Sequence, residues 1–194
     1  MDTACRAVKS WQEKGANGLR LCINVSSRQF REGRILTMVN KALDLSGLAP
    51  GCLELEFTEG LLMEDEVRVR NMLAELSANG VRLCIDDFGT GYSPLNFLKR
   101  LLFTSVKIDR AFLSEITHNP DDARITQAVI DMAHRLGLKV VGEGVETEAQ
   151  SEFLRNVKCD LVQGNLFCPP MHLEEAREFF ATRVAASARL AAKD

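Results

Sequence analysis

Short apolar runs and amphipathic segments alternate along the chain, and this alternation restricts the folds that it can adopt. Six runs rich in Val, Ile, Leu and Phe have the length of buried strands, and they cover residues 19–26, 52–59, 81–88, 105–109, 139–146 and 161–167. The segments between them carry apolar residues at helical spacing. Strand and helix repeated this often predict an α/β fold with a parallel sheet.

The clearest helical pattern covers residues 121–136, where the apolar side chains share one face. Asp121 or Asp122 can cap the first turn, and Gly137 can end the helix in a left-handed turn. Similar patterns end at Gly47 and Gly80, and residues 2–15 indicate another amphipathic helix. The segments that connect the predicted strands are therefore expected to be helices.

The polar residues at or near the ends of these runs favour a barrel over an open nucleotide-binding sheet. They are Asn24, Glu56, Asp86 with Asp87, Lys107, Glu143 and Gln163. No GxGxxG turn follows the first run, so the best signature of a dinucleotide fold is missing. A complete eight-unit barrel needs about 250 residues. The chain therefore has room for only about six strands of such a barrel.

These polar residues predict a metal site at one rim. The carboxyl ends of parallel strands share one edge, so side chains distant in sequence can converge there. Carboxylates gathered away from bulk water repel each other and take up protons unless a cation joins them. Oxygen ligands suit Mg²⁺ or Mn²⁺, and the adjacent Asp86 and Asp87 could serve two ions if one of them bridges.

Composition narrows the class of protein and its partners. An apolar content of 46% over 194 residues supports one substantial core, and a net charge of −3 gives no case for nucleic-acid binding. The six cysteines include no CxxC pair, and Cys22 and Cys84 lie in predicted strands as buried thiols do. No apolar stretch is long enough to span a bilayer. We expect a cytoplasmic protein.

Six motifs resemble, in order, those of the EAL domain family, whose members hydrolyse the bacterial second messenger cyclic di-GMP. They are Asn-Val-Ser at 24–26, Glu-Phe-Thr-Glu at 56–59, Asp-Asp-Phe-Gly-Thr-Gly at 86–91, Lys-Ile-Asp at 107–109, Glu-Gly-Val-Glu at 143–146 and Gln-Gly at 163–164. The resemblance covers about residues 3–180. It implies a TIM-like barrel that binds two divalent ions and opens cyclic di-GMP to linear pGpG.

The resemblance also implies roles for the rim residues. Asn24, Glu56 and Asp86 would hold one ion, and Asp86, Asp87 and Glu143 the second. Glu143 could instead be the general base. Lys107 would orient the attacking water or neutralise developing charge. Gln163 and Asp109 would belong to the substrate-binding residues, and Asp109 would also be a partner of Lys107. A loop set, Glu59, Phe88, Gly89, Thr90 and Gly91, would couple metal binding to a homodimer contact.

The chain also departs from the family pattern. The Glu-Ala-Leu segment has no counterpart, and with it go one metal-ligand glutamate and two barrel strands. Asn165 replaces an aromatic residue, and Cys168-Pro169-Pro170 replaces a Ser-Arg-Pro stretch. Two functions are therefore consistent with the sequence. One is an active phosphodiesterase, and the alternative is a catalytically impaired module that senses cyclic di-GMP or binds a protein. We expect residues 1–183 to form the partial barrel and 184–194 a helical tail, with a possible sensor or cyclase domain in the parent protein.

Overall fold

The computed structural model describes residues 1–62, 66–89 and 102–191. The strands are β1 (Leu21–Asn24), β2 (Leu53–Thr58), β3 (Arg82–Phe88), β4 (Ser105–Ile108), β5 (Lys139–Glu143) and β6 (Leu161–Gln163). The helices are α1 (Asp2–Glu13), α2 (Ser27–Arg31), α3 (Ile35–Ser46), α4 (Glu59–Leu62), α5 (Glu66–Ala78), α6 (Arg110–Leu113), α7 (Pro120–Arg135), α8 (Glu148–Asn156) and α9 (Leu173–Ala191), and a 3-10 turn covers Pro50–Cys52.

The six strands form one parallel sheet in which each strand pairs with the next along the chain. All six predicted strands are confirmed, each within its predicted run. A parallel sheet in strict sequence order, curled on itself, is the arrangement of successive units in a TIM-like barrel. The expected fold, an incomplete barrel of six strands, is confirmed.

The two faces of the sheet differ in chemistry because side chains alternate along each strand. The face that packs against the helices is apolar, and Leu55, Phe57 and Ile85 on it are fully buried. The opposite, concave face carries Glu54 and Glu56 of β2 and Lys107 of β4, which line a cavity of about 520 Å³. The apolar core thus fixes the strands, and the concave face presents their polar side chains.

Helix α7 begins one residue before the sequence pattern predicts, and its cap differs from the predicted one. Asn119 is the N-cap, and its side-chain oxygen accepts a hydrogen bond of 3.0 Å from the backbone N–H of Asp121. Pro120 occupies the first helical position, where its fixed φ suits the helix and its missing N–H is not needed. Asp121 and Asp122 lie in the first turn and complement the helix dipole.

The cysteine prediction is half right. Cys84 on β3 is buried, but Cys22 on β1 is exposed because it faces the concave cavity from the outermost described strand. All six cysteines are free thiols.

The C-terminal helix α9 packs against α1, with the rings of Trp11 and Phe180 at a centroid distance of 4.9 Å and an angle of 36°. The helical tail was predicted to begin at residue 184, and helix α9 continues through that position. The division into 1–183 and 184–194 stays a prediction. Within the described ranges, no helix combines the length and apolar character needed to cross a membrane.

Asp160 joins α7 to the start of β5. Its Oδ2 atom accepts a hydrogen bond of 2.9 Å from the backbone N–H of Val140 and lies 2.8 Å from Nε2 of His134. Partial burial acts to raise the pKa of Asp160, but the Val140 N–H and His134 outweigh it and hold the pKa below its ordinary value. The ionised form therefore stabilises the folded chain.

We predict that Asp160→Asn lowers the free energy of unfolding at pH 7 by about 1 kcal/mol, because the charged acceptor is lost. The native pKa is lower than the unfolded value of about 3.9, so this contribution is present above that pH and lost as the pH falls through the native pKa. Urea denaturation between pH 7 and pH 3 measures it. Asp44→Asn, at an exposed position of α3, is the control. A wild-type advantage that stays constant down to pH 3 would contradict this assignment.

Candidate active site

A bulge in β3 brings two consecutive carboxylates to one rim. Ile85 pairs with Val106 and Phe88 with Ile108, so Asp86 and Asp87 together lie opposite Lys107 alone. Asp87 has a φ of 54°, in the left-handed region that Asp tolerates better than most residues. Its backbone N–H donates to Oδ1 of Asp86 at 3.0 Å. The bulge thus cancels the alternation that would otherwise send the two side chains to opposite faces.

Glu143, at the end of β5, completes an acidic cluster with this pair. Asp86, Asp87 and Glu143 each offer one oxygen, and these oxygens lie within 4.8 Å of one another. Asp86 is buried, while Asp87 and Glu143 are partly exposed. Three carboxylates so close together form a donor set of the kind that hard divalent cations bind, so the residues present fit the predicted metal.

Lys107 supplies the positive charge inside this cluster. Its Nζ atom lies 3.2 Å from Oε2 of Glu56, 3.5 Å from Oδ1 of Asp86 and 3.2 Å from Oε1 of Glu143. Lys107 is only 4% exposed and Glu56 5% exposed. One ammonium group therefore links carboxylates from β2, β3 and β5 across the rim, and it offsets charge that burial would otherwise make costly.

The pKa values follow from this crowding. Burial acts to lower the pKa of Lys107, but the carboxylates of Glu56, Asp86 and Glu143 outweigh it and raise the pKa above its ordinary value. Burial also raises the pKa of Glu56, with Lys107 offsetting part of the effect. The pKa of Asp87 is raised by burial and then by its neighbours Asp86 and Asp109. The rim thus holds more negative charge than Lys107 alone can balance.

The remaining predicted rim residues lie next to this cluster. Asn24 ends β1 as the register partner of Glu56, and Gln163 ends β6 as the register partner of Glu143. Both are exposed, and Gln163 lines the concave cavity together with Glu56 and Lys107. The six polar strand ends predicted from the sequence therefore lie on six consecutive strands of one rim.

The family model of the EAL domain matches residues 1–170. This chain belongs to the EAL domain family. It is 43% identical over 175 residues to the bifunctional diguanylate cyclase/cyclic di-GMP phosphodiesterase MucR of Pseudomonas aeruginosa. This match covers 90% of the chain and 26% of MucR. It is 44% identical over 176 residues to the cyclic di-GMP phosphodiesterase NbdA of the same organism, covering 91% of the chain and 22% of NbdA. The chain thus spans about a quarter of the length of these curated relatives.

Solved structures agree with the family assignment. The structure of the PaMucR phosphodiesterase in complex with c-di-GMP has a TM-score of 0.86 and 43% identity, and the match covers 90% of this chain and 71% of that one. A manganese and cyclic-di-GMP complex of BlrP1 from Klebsiella pneumoniae has a TM-score of 0.76 and 28% identity, with 85% of this chain and 42% of that one covered. The curled sheet is therefore the EAL fold.

Asp109 occupies a different place in this EAL domain from the one expected. It is the N-cap of α6, where its Oδ1 accepts a hydrogen bond of 2.8 Å from the backbone N–H of Ala111. Its carboxyl group lies beside Asp87 and helps to raise the pKa of that residue. The carboxylates near Nζ of Lys107 are those of Glu56, Asp86 and Glu143, and the assignment of Asp109 to the substrate-binding residues stays a prediction.

Glu59 binds the backbone of Gly89, the residue that directly follows β3. It is 3% exposed at the beginning of α4, and its Oε2 accepts a hydrogen bond of 3.2 Å from the backbone N–H of Gly89. Gly89 has a φ of 97°, and a Cβ there would approach Phe112 to 3.0 Å. Phe88 is buried in the core. Thr90 and Gly91, also assigned to this loop set, lie outside the described residues.

Two polar residues close to the rim, Glu54 and Gln150, are not among the predicted site residues. Glu54 lies one layer below Glu56, and its Oε1 accepts a hydrogen bond of 2.8 Å from Ser105. Gln150 is 6% exposed and bonds to two segments near the rim. The pattern Thr147-x-x-Gln150 is a capping-box signature that could have revealed the helix start. No sequence signal predicts its second set of bonds.

We predict that Lys107→Met destabilises the metal-free chain by about 3 kcal/mol, because Glu56, Asp86 and Glu143 lose their buried counter-charge. Added Mn²⁺ should raise the melting temperature of the variant more than that of the wild type, since the ion can replace the missing positive charge. Differential scanning calorimetry with and without Mn²⁺ measures both effects. Lys41→Met, on the exposed side of α3, should behave as wild type. Equal stability of the two variants without metal would disprove the role given to Lys107.

Proposed function

We propose that this EAL domain hydrolyses cyclic di-GMP to linear pGpG. The observation that carries the proposal is the cluster of Asp86, Asp87 and Glu143, two of whose members, Asp86 and Glu143, pair with the buried ammonium of Lys107. The names of MucR and NbdA, and the c-di-GMP bound to PaMucR, support the same substrate for this chain.

The residues present suit two divalent ions, Mg²⁺ or Mn²⁺. Asn24, Glu56 and Asp86 would hold one ion, and Asp86, Asp87 and Glu143 the other. The manganese and cyclic-di-GMP complex of BlrP1 supports this choice of metal. Such ions, when bound, acidify a water molecule and offset negative charge on the phosphate oxygens.

The chain's own side chains then have distinct tasks. Lys107 keeps its proton because three carboxylates surround it, so it can stabilise negative charge that builds on the phosphate. Glu143 is 29% exposed, against 5% for the Glu56 side chain, so it is the more accessible of these two bases. This exposure suits a metal ligand and a general base alike. Gln163 can donate to or accept from the nucleotide at the open side of the rim.

We predict that the chain converts cyclic di-GMP to pGpG in the presence of Mn²⁺ and that Asp86→Asn reduces the rate by more than about 100-fold. Removing even a residue that only hydrogen-bonds to a metal ligand lowers metal affinity or activity by roughly 10–100-fold. Asp86 would itself be a ligand of both ions. Chromatography of the products gives the rate, and Asp44→Asn is the matched control. Binding of the nucleotide by the wild type without any pGpG would instead favour the alternative, a sensing module.

We further propose a homodimer in which Glu59 couples the loop after β3 to the subunit contact. The hydrogen bond from Gly89 to the buried carboxylate of Glu59 supports this, since it joins the loop to α4. Glu59→Ala should lower both the dimer fraction in sedimentation velocity and the rate of hydrolysis. Glu152→Ala, at an exposed position of α8, should change neither. A dimer fraction in Glu59→Ala equal to that of the wild type would contradict the coupling.

The cellular setting completes the proposal. Six free thiols suit a reducing compartment, which supports a location in the cytoplasm. Because the relatives are about four times as long as this chain, we also propose that the parent protein carries a sensor or cyclase domain.

A further inference from the structure

Gln150 connects two rim segments that are distant in sequence. Its Oε1 accepts hydrogen bonds from the backbone N–H groups of Glu146 and Thr147, at 2.8 and 3.0 Å. Its Nε2 donates to the carbonyl oxygens of Leu113 and Ser114, at 3.0 and 3.4 Å. One buried amide therefore joins the turn after β5 to the end of α6.

The two connected segments each follow a strand that carries a residue of the active site. Helix α6 follows β4, which bears Lys107, and the turn 144–147 follows β5, which ends at Glu143. The segments also lie in close contact, because a Cβ added at Gly144 would come within 2.5 Å of the Cβ of Arg110. A shift of α6 relative to the turn would thus move the supports of Lys107 and Glu143 apart.

The opposite side of the same turn is fixed by backbone atoms. The N–H of Val145 donates to the carbonyl oxygen of Gln163 at 3.0 Å, and its own carbonyl accepts from the N–H of Leu166 at 3.1 Å. Gly164 lies against Val145 so closely that a Cβ there would collide with the Val145 backbone. Towards β6 the turn is therefore held by the main chain, whereas towards α6 a side chain makes the hydrogen bonds.

We propose that Gln150 is a positioning residue that fixes Glu143 against Lys107 by holding the turn after β5 on the end of α6. Its four bonds use both functions of the amide, accepting on one segment and donating to the other. A carboxylate could replace only the accepting half, since it has no N–H to offer the carbonyls of Leu113 and Ser114. The contribution to catalysis rests on the proposed function, but the positioning itself is a property of the metal-free chain.

The test compares Gln150→Glu with Gln29→Glu. Gln29 holds the same capping-box position in α2, where, among the described residues, its Oε1 accepts hydrogen bonds from Ser26 alone. Its replacement therefore adds the same charge without breaking a bridge between segments. Gln150→Met, of similar length and uncharged, shows whether an effect depends on the added charge. Circular dichroism first establishes that each variant is folded.

The decisive readout is the ammonium resonance of Lys107 in the metal-free chain labelled with ¹⁵N-lysine, identified by its loss in Lys107→Met. We expect Gln150→Glu and Gln150→Met to shift or broaden this resonance and Gln29→Glu to leave it unchanged. In the same variants of Gln150, the dissociation constant for Mn²⁺ should rise about ten-fold or more, as for other partners that orient metal ligands.

The outcomes separate this inference from the proposed function. An unchanged Lys107 resonance in both Gln150 variants would overturn the inference, and so would a changed resonance with Mn²⁺ affinity equal to that of the wild type. A wild-type chain that binds no Mn²⁺ or yields no pGpG would overturn the proposed function alone. The resonance would then still decide the role of Gln150, because it is recorded without metal or nucleotide.

Discussion

The ion pairs of Lys107 are the interaction on which the rim depends. Carboxylates of β2, β3 and β5 approach one buried ammonium group, and each would be costly to bury without it. The acids outnumber the single lysine, so the rim keeps an excess of negative charge. Both the burial of these carboxylates and the negative potential of the rim thus follow from the same arrangement of charges.

The β3 bulge is the backbone feature that brings both Asp86 and Asp87 to this rim. A regular strand would present Asp86 and Asp87 to opposite faces, one of them into the apolar core. The extra residue opposite Lys107 and the left-handed φ of Asp87 prevent this. Asp109 and Glu59 then act from neighbouring helices, the first beside Asp87 and the second on Gly89. Local strain in one strand is therefore supported by helices on both sides of it.

The sequence predicted the fold well because apolar runs and polar strand ends are local patterns. It placed every strand within the described ranges, and it brought Asp86, Asp87 and Glu143 to one rim on the argument that parallel strands share an edge. It could not predict the bulge, since no residue type marks it. It did not reveal that Asp109 caps α6, since the end of β4 at Ile108 is not marked in the apolar run 105–109. It also mistook exposed Cys22 for a core thiol, because burial depends on the neighbouring strands. The bonds from Gln150 to Leu113 and Ser114 join residues 37 and 36 positions apart, which no short-range pattern encodes.

The contact between Gly164 and Val145 determines which kinds of substitution would damage this part of the structure. Main-chain atoms form that contact, so truncating a side chain there leaves its hydrogen bonds in place. Harm on the β6 flank of the turn arises instead by adding bulk, and even a methyl group at position 164 is too much. The α6 side of the turn differs, because there the hydrogen bonds come from the side-chain amide of Gln150 and a single substitution can remove them. Substitutions that enlarge the side chain would therefore be damaging on the β6 side of the turn, and substitutions that truncate it would be damaging on the α6 side.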